Sequence, residues 1–156
     1  NLGLETAWKR YKTILVSDAG GALQAEEEPH RDWGRHMLRI LYIIDNQVRS
    51  LRKRLLIDCY NRASSDPGHR DGAYWGIGTD IEGYLKGKPD LPLPLKCSPC
   101  RTRDLANLAT RLAFIDDATQ ERLINWGYAV CDAALRRYVQ AELTPPTKFP
   151  CPTHPV

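Results

Sequence analysis

The stretch TILVSDAGG, residues 13–21, is the part of the sequence that decides the fold. Its uninterrupted apolar core, Ile14-Leu15-Val16, follows a β-branched threonine and ends at serine, aspartate, alanine and two glycines. Short apolar runs closed by such turn residues are typical of strands that are buried on both faces. We therefore predict a strand over residues 12–17 with both faces buried.

A long amphipathic helix is predicted next, over residues 32–61, with Asp32 as its N-cap. Its apolar residues recur at spacings of three and four: Trp33, Met37, Ile40, Leu41, Ile44, Val48, Leu51 and Leu55. Its arginines lie largely off this stripe, and we expect four of them to form a solvated face: Arg35, Arg39, Arg49 and Arg52.

Period-two alternation of apolar and other residues over 73–81 predicts a second strand. Strand, helix, strand is a βαβ unit, in which the two strands are parallel and the crossover is almost always right-handed. Because a sheet of two strands does not bury itself, its further partners are expected from elsewhere.

The rest of the chain is predicted to be loop and helix. A proline-rich surface loop is expected over residues 82–101, followed by a helix that Thr102 caps and a last helix over residues 119–141. Asp116 or Asp117 is expected to open that last helix. The predicted fold is thus a helix-rich α/β fold, a βαβ unit followed by two helices.

Composition places the chain among globular proteins. Its 156 residues are 42% hydrophobic and 26% charged with a net charge of +3, typical of one soluble domain without a strong nucleic-acid footprint. The longest apolar run, residues 41–44, is far short of a membrane span, and no signal segment precedes it. The five cysteines are an odd number in a chain without a secretory signal, which favours reduced thiols and a cytoplasmic location.

Ser17 is a candidate nucleophile, because open α/β sheets place their sites at the carboxyl ends of strands. A nucleophile elbow needs glycines two residues away on each side of the serine, and Leu15 and Ala19 stand there instead. The other serines lack that context as well: Ser50, Ser64, Ser65 and Ser98. A structural role in the turn is therefore favoured for Ser17 and Asp18.

Asp71-Gly72-Ala73 is a second candidate, since an aspartate followed by glycine and a small residue can orient a serine. Aspartate and glycine ahead of a strand are also common turn residues, and the turn is the favoured interpretation. Three histidines have no carboxylate or thiol at a useful spacing and are expected at the surface: His30, His36 and His69.

Two short motifs, Cys97-Ser-Pro-Cys100 and Cys151-Pro-Thr-His154, form a candidate metal site. Three thiolates and one imidazole suit tetrahedral zinc. A single CxxC is a weak signal, however, and the second pair lies about fifty residues later in a proline-rich tail. Zinc therefore stays an alternative, and no cofactor is predicted.

Five segments spread along the chain occur in collinear order. They are NLGLE (1–5), TILVSDAGG (13–21), DNQVR (45–49), GAYWGI (72–77) and QERLINWGY (120–128). Together they resemble the C-terminal part of bacterial patatin-like phospholipases, and the resemblance extends to about residue 138. It implies the C-terminal part of a three-layer α/β/α fold over residues 1–143, with a proline-rich tail over residues 144–156 that we expect to run over the surface.

In that family the segment similar to NLGLE directly follows an Asp-Gly-Gly motif, whose aspartate is half of a Ser-Asp catalytic dyad. The chain starts with Asn1 rather than methionine, and the resemblance implies a start a few residues after that aspartate. The family's oxyanion loop and Gly-x-Ser-x-Gly elbow would also lie upstream. No family catalytic residue carries over to this chain, and Asp71-Gly72-Ala73 is not assigned the role because it follows NLGLE.

The leading hypothesis is a fragment of a patatin-like lipid acyl hydrolase, a protein of lipid metabolism, that is inactive by itself. A lipid or acyl-ester substrate would bind only to the intact protein, with the N-terminal half of the fold as partner. Such a fragment would expose an open sheet edge and unburied helix faces. The alternative is a non-enzymatic, α-rich interaction module whose long helix docks a partner, with or without a zinc-clipped loop.

Overall fold

The computed structural model describes residues 3–21, 23, 25–29, 31–93, 95–109 and 113–156. The elements along the chain are α1 (Leu4–Arg10), β1 (Thr13–Asp18), α2 (Trp33–Asn61), β2 (Asp71–Gly76), a 3-10 helix (Ile81–Leu85), α3 (Pro99–Ala106) and α4 (Asp117–Tyr138). The mixed α/β class and the βαβ unit are confirmed. The three-layer patatin-like arrangement stays a prediction.

β1 and β2 pair as a two-stranded parallel sheet. The Asp71 amide donates to the Lys12 carbonyl at 3.1 Å, and the Ile77 amide donates to the Asp18 carbonyl at 2.9 Å. In both bonds the donor residue follows the acceptor residue by the same number of positions. This constant difference is expected for parallel strands, which pair in one register along their length. The sheet contains no third strand from the described residues.

β1 is buried on one face only, so the prediction of two buried faces is wrong. Ile14, Val16 and Asp18 are buried, whereas Leu15 is 50% exposed. Alternate burial is the pattern of a sheet with one covered face. The uninterrupted apolar run suggested that both faces are buried, but Leu15 in the middle of the run lies on the uncovered face.

β2 ends at Gly76, and the strand predicted to continue to residue 81 is therefore too long. The Thr79 hydroxyl accepts a hydrogen bond from the Gly76 amide at 2.9 Å, and the Asp80 carboxylate accepts one from the Glu82 amide at 3.1 Å. Side chains that bond to nearby backbone in this way compete with strand pairing. The chain turns here into the 3-10 helix instead of extending the sheet.

The described residues fall into two compact units, one drawn from 1–14 and 22–71 and the other from 15–21 and 72–156. In the first unit α2 begins where predicted, since the Asp32 carboxylate accepts from the Arg35 amide at 2.9 Å. Near its other end the Tyr60 hydroxyl donates to the Ile14 carbonyl at 2.7 Å. α2 buries only two side chains, Leu56 and Cys59, both close to that end.

The apolar stripe of α2, which we call the α2 stripe, faces solvent. Its eight residues (Trp33, Met37, Ile40, Leu41, Ile44, Val48, Leu51 and Leu55) range from 38% exposed at Val48 to 81% at Trp33. Of the four arginines expected on a solvated face, only Arg35 is exposed, and the other three are half-buried: Arg39, Arg49 and Arg52. The helix is confirmed, but the expected solvated arginine face is wrong for those three, because the polar side of α2 is the side that is partly covered.

In the second unit the hydrophobic core forms around α4. The core residues are Ala73, Trp75, Tyr84, Leu105, Trp126, Val130, Ala133, Ala134 and Val156. The Trp126 indole donates to the Ile77 carbonyl at 2.8 Å, which fastens α4 to the end of β2. The Asp116 carboxylate accepts from the Thr119 amide at 2.9 Å, so the first of the two predicted caps is confirmed.

α3 begins at Pro99, which places Thr102 inside the helix, and its predicted capping role is wrong. The loop predicted over residues 82–101 also contains regular structure at both ends, namely most of the 3-10 helix and the start of α3. Proline at the first turn of a helix costs no hydrogen bond, because the amides there have no intrahelical partner.

The tail over residues 144–156 is anchored, which corrects the expectation that it runs loosely over the surface. Asn125 of α4 is fully buried, and its amide nitrogen donates to the carbonyls of Cys151 at 2.7 Å and His154 at 2.9 Å. Its amide oxygen accepts from the Cys151 amide at 2.9 Å, and Val156 is buried in the core. The predicted domain boundary at residue 143 stays a prediction.

Candidate functional site

The carboxyl ends of β1 and β2 lie in the second unit, and this is where open α/β sheets bind ligands. Asp18 ends β1 on its buried face and is only 9% exposed. One carboxylate oxygen accepts from the Tyr74 hydroxyl at 2.7 Å, and the other accepts from the Gly20 amide at 2.9 Å. Both oxygens of Asp18 are therefore engaged in holding the strand end and its turn.

Ser17 lies on the exposed face of β1, opposite Asp18. Successive side chains of a strand point to opposite faces, so the two residues do not act as a pair. The other serines lie in α2 (Ser50), in the turn after α2 (Ser64 and Ser65) and at the N-cap position of α3 (Ser98). The predicted structural role of Asp18 agrees with its bond to Gly20.

A cleft of about 220 Å³ opens beyond β2, where residues 77–82 face α3. Its polar lining is supplied by Thr79, Asp80, Glu82, Cys97, Thr102 and Arg103. Burial raises the pKa of the Cys97 thiol to about 11, so the thiol is protonated near neutral pH and is a poor nucleophile. The cleft is smaller than most ligand pockets, which hold about 300–1,000 Å³, so it suits a small ligand better than an acyl chain.

Asp71 and His69 form a pair in the first unit. The Asp71 carboxylate lies 3.0 Å from the Nε2 atom of His69, which is only 7% exposed. The prediction of a surface His69 without a carboxylate partner is therefore wrong, whereas His36 is exposed as expected. His30 lies outside the described residues. The Asp71 amide starts the pairing with β1, so Asp71 and Gly72 belong to β2 itself, and the favoured interpretation as a turn ahead of the strand is wrong.

The four candidate zinc ligands, Cys97, Cys100, Cys151 and His154, are all described, and the structure does not bring them together. In the described parts of the chain no three His, Cys, Asp or Glu side chains lie close enough to hold a metal ion. His154 instead places Nδ1 2.7 Å from the Glu121 carboxylate. The zinc alternative therefore has no support in the geometry.

The Asp18–Tyr74 contact is a testable part of this site. Tyr74→Phe should lower the free energy of unfolding by about 1–2 kcal/mol, because Asp18 then loses a hydroxyl donor in a largely buried place. Urea titration measures the change, and Tyr11→Phe is the control because Tyr11 is 62% exposed. Asp18→Asn should cost less in the Tyr74→Phe background than in the wild type. Fully additive effects would contradict a direct interaction.

Comparison of the chain with protein-family models, with curated proteins and with solved structures found no match. Within the described ranges, no helix is both long enough and apolar enough to cross a membrane. Inferences about function therefore depend on the sequence and the geometry of the chain.

Proposed function

We propose that this chain is the C-terminal portion of a patatin-like lipid acyl hydrolase, and that it supplies sheet and helices but none of the hydrolytic groups. The observation that carries the proposal is the β1–β2 sheet. Its two strands are parallel and adjacent, so each has an outer edge that no described residue pairs. Parallel sheets are normally larger and buried, and a patatin-like domain would add the missing strands.

The uncovered face of the sheet also supports this proposal. Leu15 is 50% exposed there, next to a buried Ile14 and a buried Val16. A leucine in the middle of a strand usually packs against a covering layer. In a three-layer α/β/α domain a helical layer would cover this face.

The chemistry of the described residues agrees with a missing dyad. A serine that attacks an ester must lie within about 2.6–3.2 Å of its base and beside oxyanion donors. Ser17 and Asp18 lie on opposite faces of β1, and Asp71 is paired with His69. We place the serine, the catalytic aspartate and the oxyanion loop upstream of Asn1, in a cytoplasmic enzyme.

The purified chain should release p-nitrophenol from p-nitrophenyl butyrate no faster than buffer does. Without an activated serine there is no group to take up the acyl chain, so a fluorophosphonate probe should label none of the serines. Asp71→Ala should leave both results unchanged. Ester turnover that Asp71→Ala abolishes would contradict the proposal and would make Asp71 a catalytic residue.

The second candidate is the non-enzymatic interaction module. The exposed α2 stripe favours it, because contiguous apolar surface on a folded chain marks a place of interaction. The zinc-clipped version of the module has no support, as described above. The two candidates differ in what they predict upstream of Asn1, where only the fragment proposal requires the dyad motifs.

A further inference from the structure

The α2 stripe forms a long apolar surface. From Trp33 to Leu55 it extends for about 33 Å along the helix, at a rise of about 1.5 Å per residue. All eight side chains are at least 38% exposed, and the protein core takes up only Leu56 and Cys59, beyond the end of the stripe. A contiguous exposed apolar surface of this length is typical of an interaction site.

α2 is also the cationic part of the chain. It contains six lysines and arginines against two aspartates, a net charge of +4, whereas the whole chain carries +3. Four of the six cluster on about two turns: Arg49, Arg52, Lys53 and Arg54. At about 100° per residue, Arg52 and Arg54 flank the stripe on opposite sides, and Asp58 lies beyond its last residue.

This charge argues against a parallel pair of chains as the occupant. If two α2 helices paired parallel along their stripes, the flanking Arg52 and Arg54 of one would lie beside the same residues of the other. Parallel pairing therefore brings like charges together, which disfavours it. An antiparallel pair is an outcome that sedimentation detects.

An anionic lipid surface matches both features of the helix. The acyl chains accept the stripe, the anionic headgroups attract the flanking guanidinium groups, and the indole of Trp33 suits the boundary between them. In the acidic segment before α2, Glu26 lies 3.3 Å from Arg39, on the side of the helix away from the stripe. We propose that α2 lies flat on anionic membranes with the α2 stripe inserted among the lipids.

This inference does not require hydrolase activity, because it depends only on the exposure and charge of α2, although in the proposed intact domain the N-terminal half would be a competing occupant of the stripe. The test is co-sedimentation of the full chain with vesicles of phosphatidylcholine alone and of phosphatidylcholine mixed with phosphatidylglycerol. We expect binding to the mixed vesicles, at least about tenfold stronger than to phosphatidylcholine and weakened by salt. Absence of binding to the mixed vesicles would overturn the inference.

A matched pair of variants separates insertion from simple charge attraction. Ile44→Asp and Asn46→Asp make the same change in charge, but Ile44 lies in the stripe and Asn46 on the opposite side. Ile44 is 51% exposed, so its replacement leaves the folded core intact, and circular dichroism checks this. We expect Ile44→Asp to weaken binding about tenfold or more, and Asn46→Asp to change it by about twofold or less. Equal losses would overturn insertion, as would a dimer in sedimentation that Ile44→Asp dissociates.

Discussion

Asn125→Leu should lower the free energy of unfolding by about 3–5 kcal/mol and release the tail. Asn125 is fully buried and makes three hydrogen bonds to the backbone of Cys151 and His154. Leucine fills a similar volume but leaves one amide and two carbonyls without a partner. Each buried group left unsatisfied costs about 1–3 kcal/mol, reduced here to the extent that the freed tail reaches water.

Two measurements check this expectation. Guanidinium chloride unfolding gives the change in stability, and limited trypsin digestion reports the tail, because Lys148 should be cleaved faster once the tail is free. Asn61→Leu is the matched control, since Asn61 is exposed at the end of α2, and it should change stability by about 0.5 kcal/mol or less. Equal stability of the two variants, with Lys148 cleaved at the wild-type rate, would contradict the role of Asn125.

Arg136→Met should cost about 3–5 kcal/mol, the loss expected when one partner of a buried ion pair is removed. Arg136 is 1% exposed, and its guanidinium donates from Nε and Nη2 to Asp132 and from Nη1 to the Pro92 carbonyl at 2.6 Å. Methionine replaces the stem of the side chain but none of these donors. The Asp132 carboxylate, only 16% exposed, would then have lost its cation.

The double variant Asp132→Leu/Arg136→Met is the control for this prediction. Replacing both charges with apolar groups removes the uncompensated carboxylate, so the double variant should recover most of the lost stability. Thermal and guanidinium chloride unfolding of the single and double variants measure the coupling. If the double variant is as unstable as Arg136→Met, the loss comes from the Pro92 contact or from packing, and the ion pair is not its cause.

The elements that could be predicted from the sequence are those with local signals. α2 and α4 follow from apolar spacings of three and four and from aspartates at their N-caps, Asp32 and Asp116, which bond to amides three residues away. β1 follows from a short apolar run. Each of these signals involves only a few neighbouring residues, so it can be recognised without knowing which distant parts of the chain pack against it.

Burial could not be predicted in the same way. Periodicity shows that α2 has an apolar side, but whether that side is covered depends on what else packs there, and here it faces solvent. Leu15 was misassigned for the same reason. The anchored tail depends on Asn125 meeting Cys151, 26 residues away, and no local pattern reveals that contact.

The candidate site likewise combines contacts that local sequence signals predict with contacts between distant residues that they do not. The turn role of Asp18 is a local matter, because its carboxylate bonds to Gly20, two residues on. Its other partner, Tyr74, is 56 residues away and left no signal in the sequence. The His69–Asp71 pair was missed although a signal existed, since residues two apart in extended chain point to the same side.

The most direct test of the fragment proposal is the coding sequence upstream of Asn1. We predict that the reading frame continues into Asp-Gly-Gly within a few codons of Asn1 and, farther upstream, into Gly-x-Ser-x-Gly. The β1–β2 sheet would then gain the strands that its open edges require. An initiator codon shortly before Asn1, with neither motif between them, would contradict the proposal and leave the interaction module as the better account.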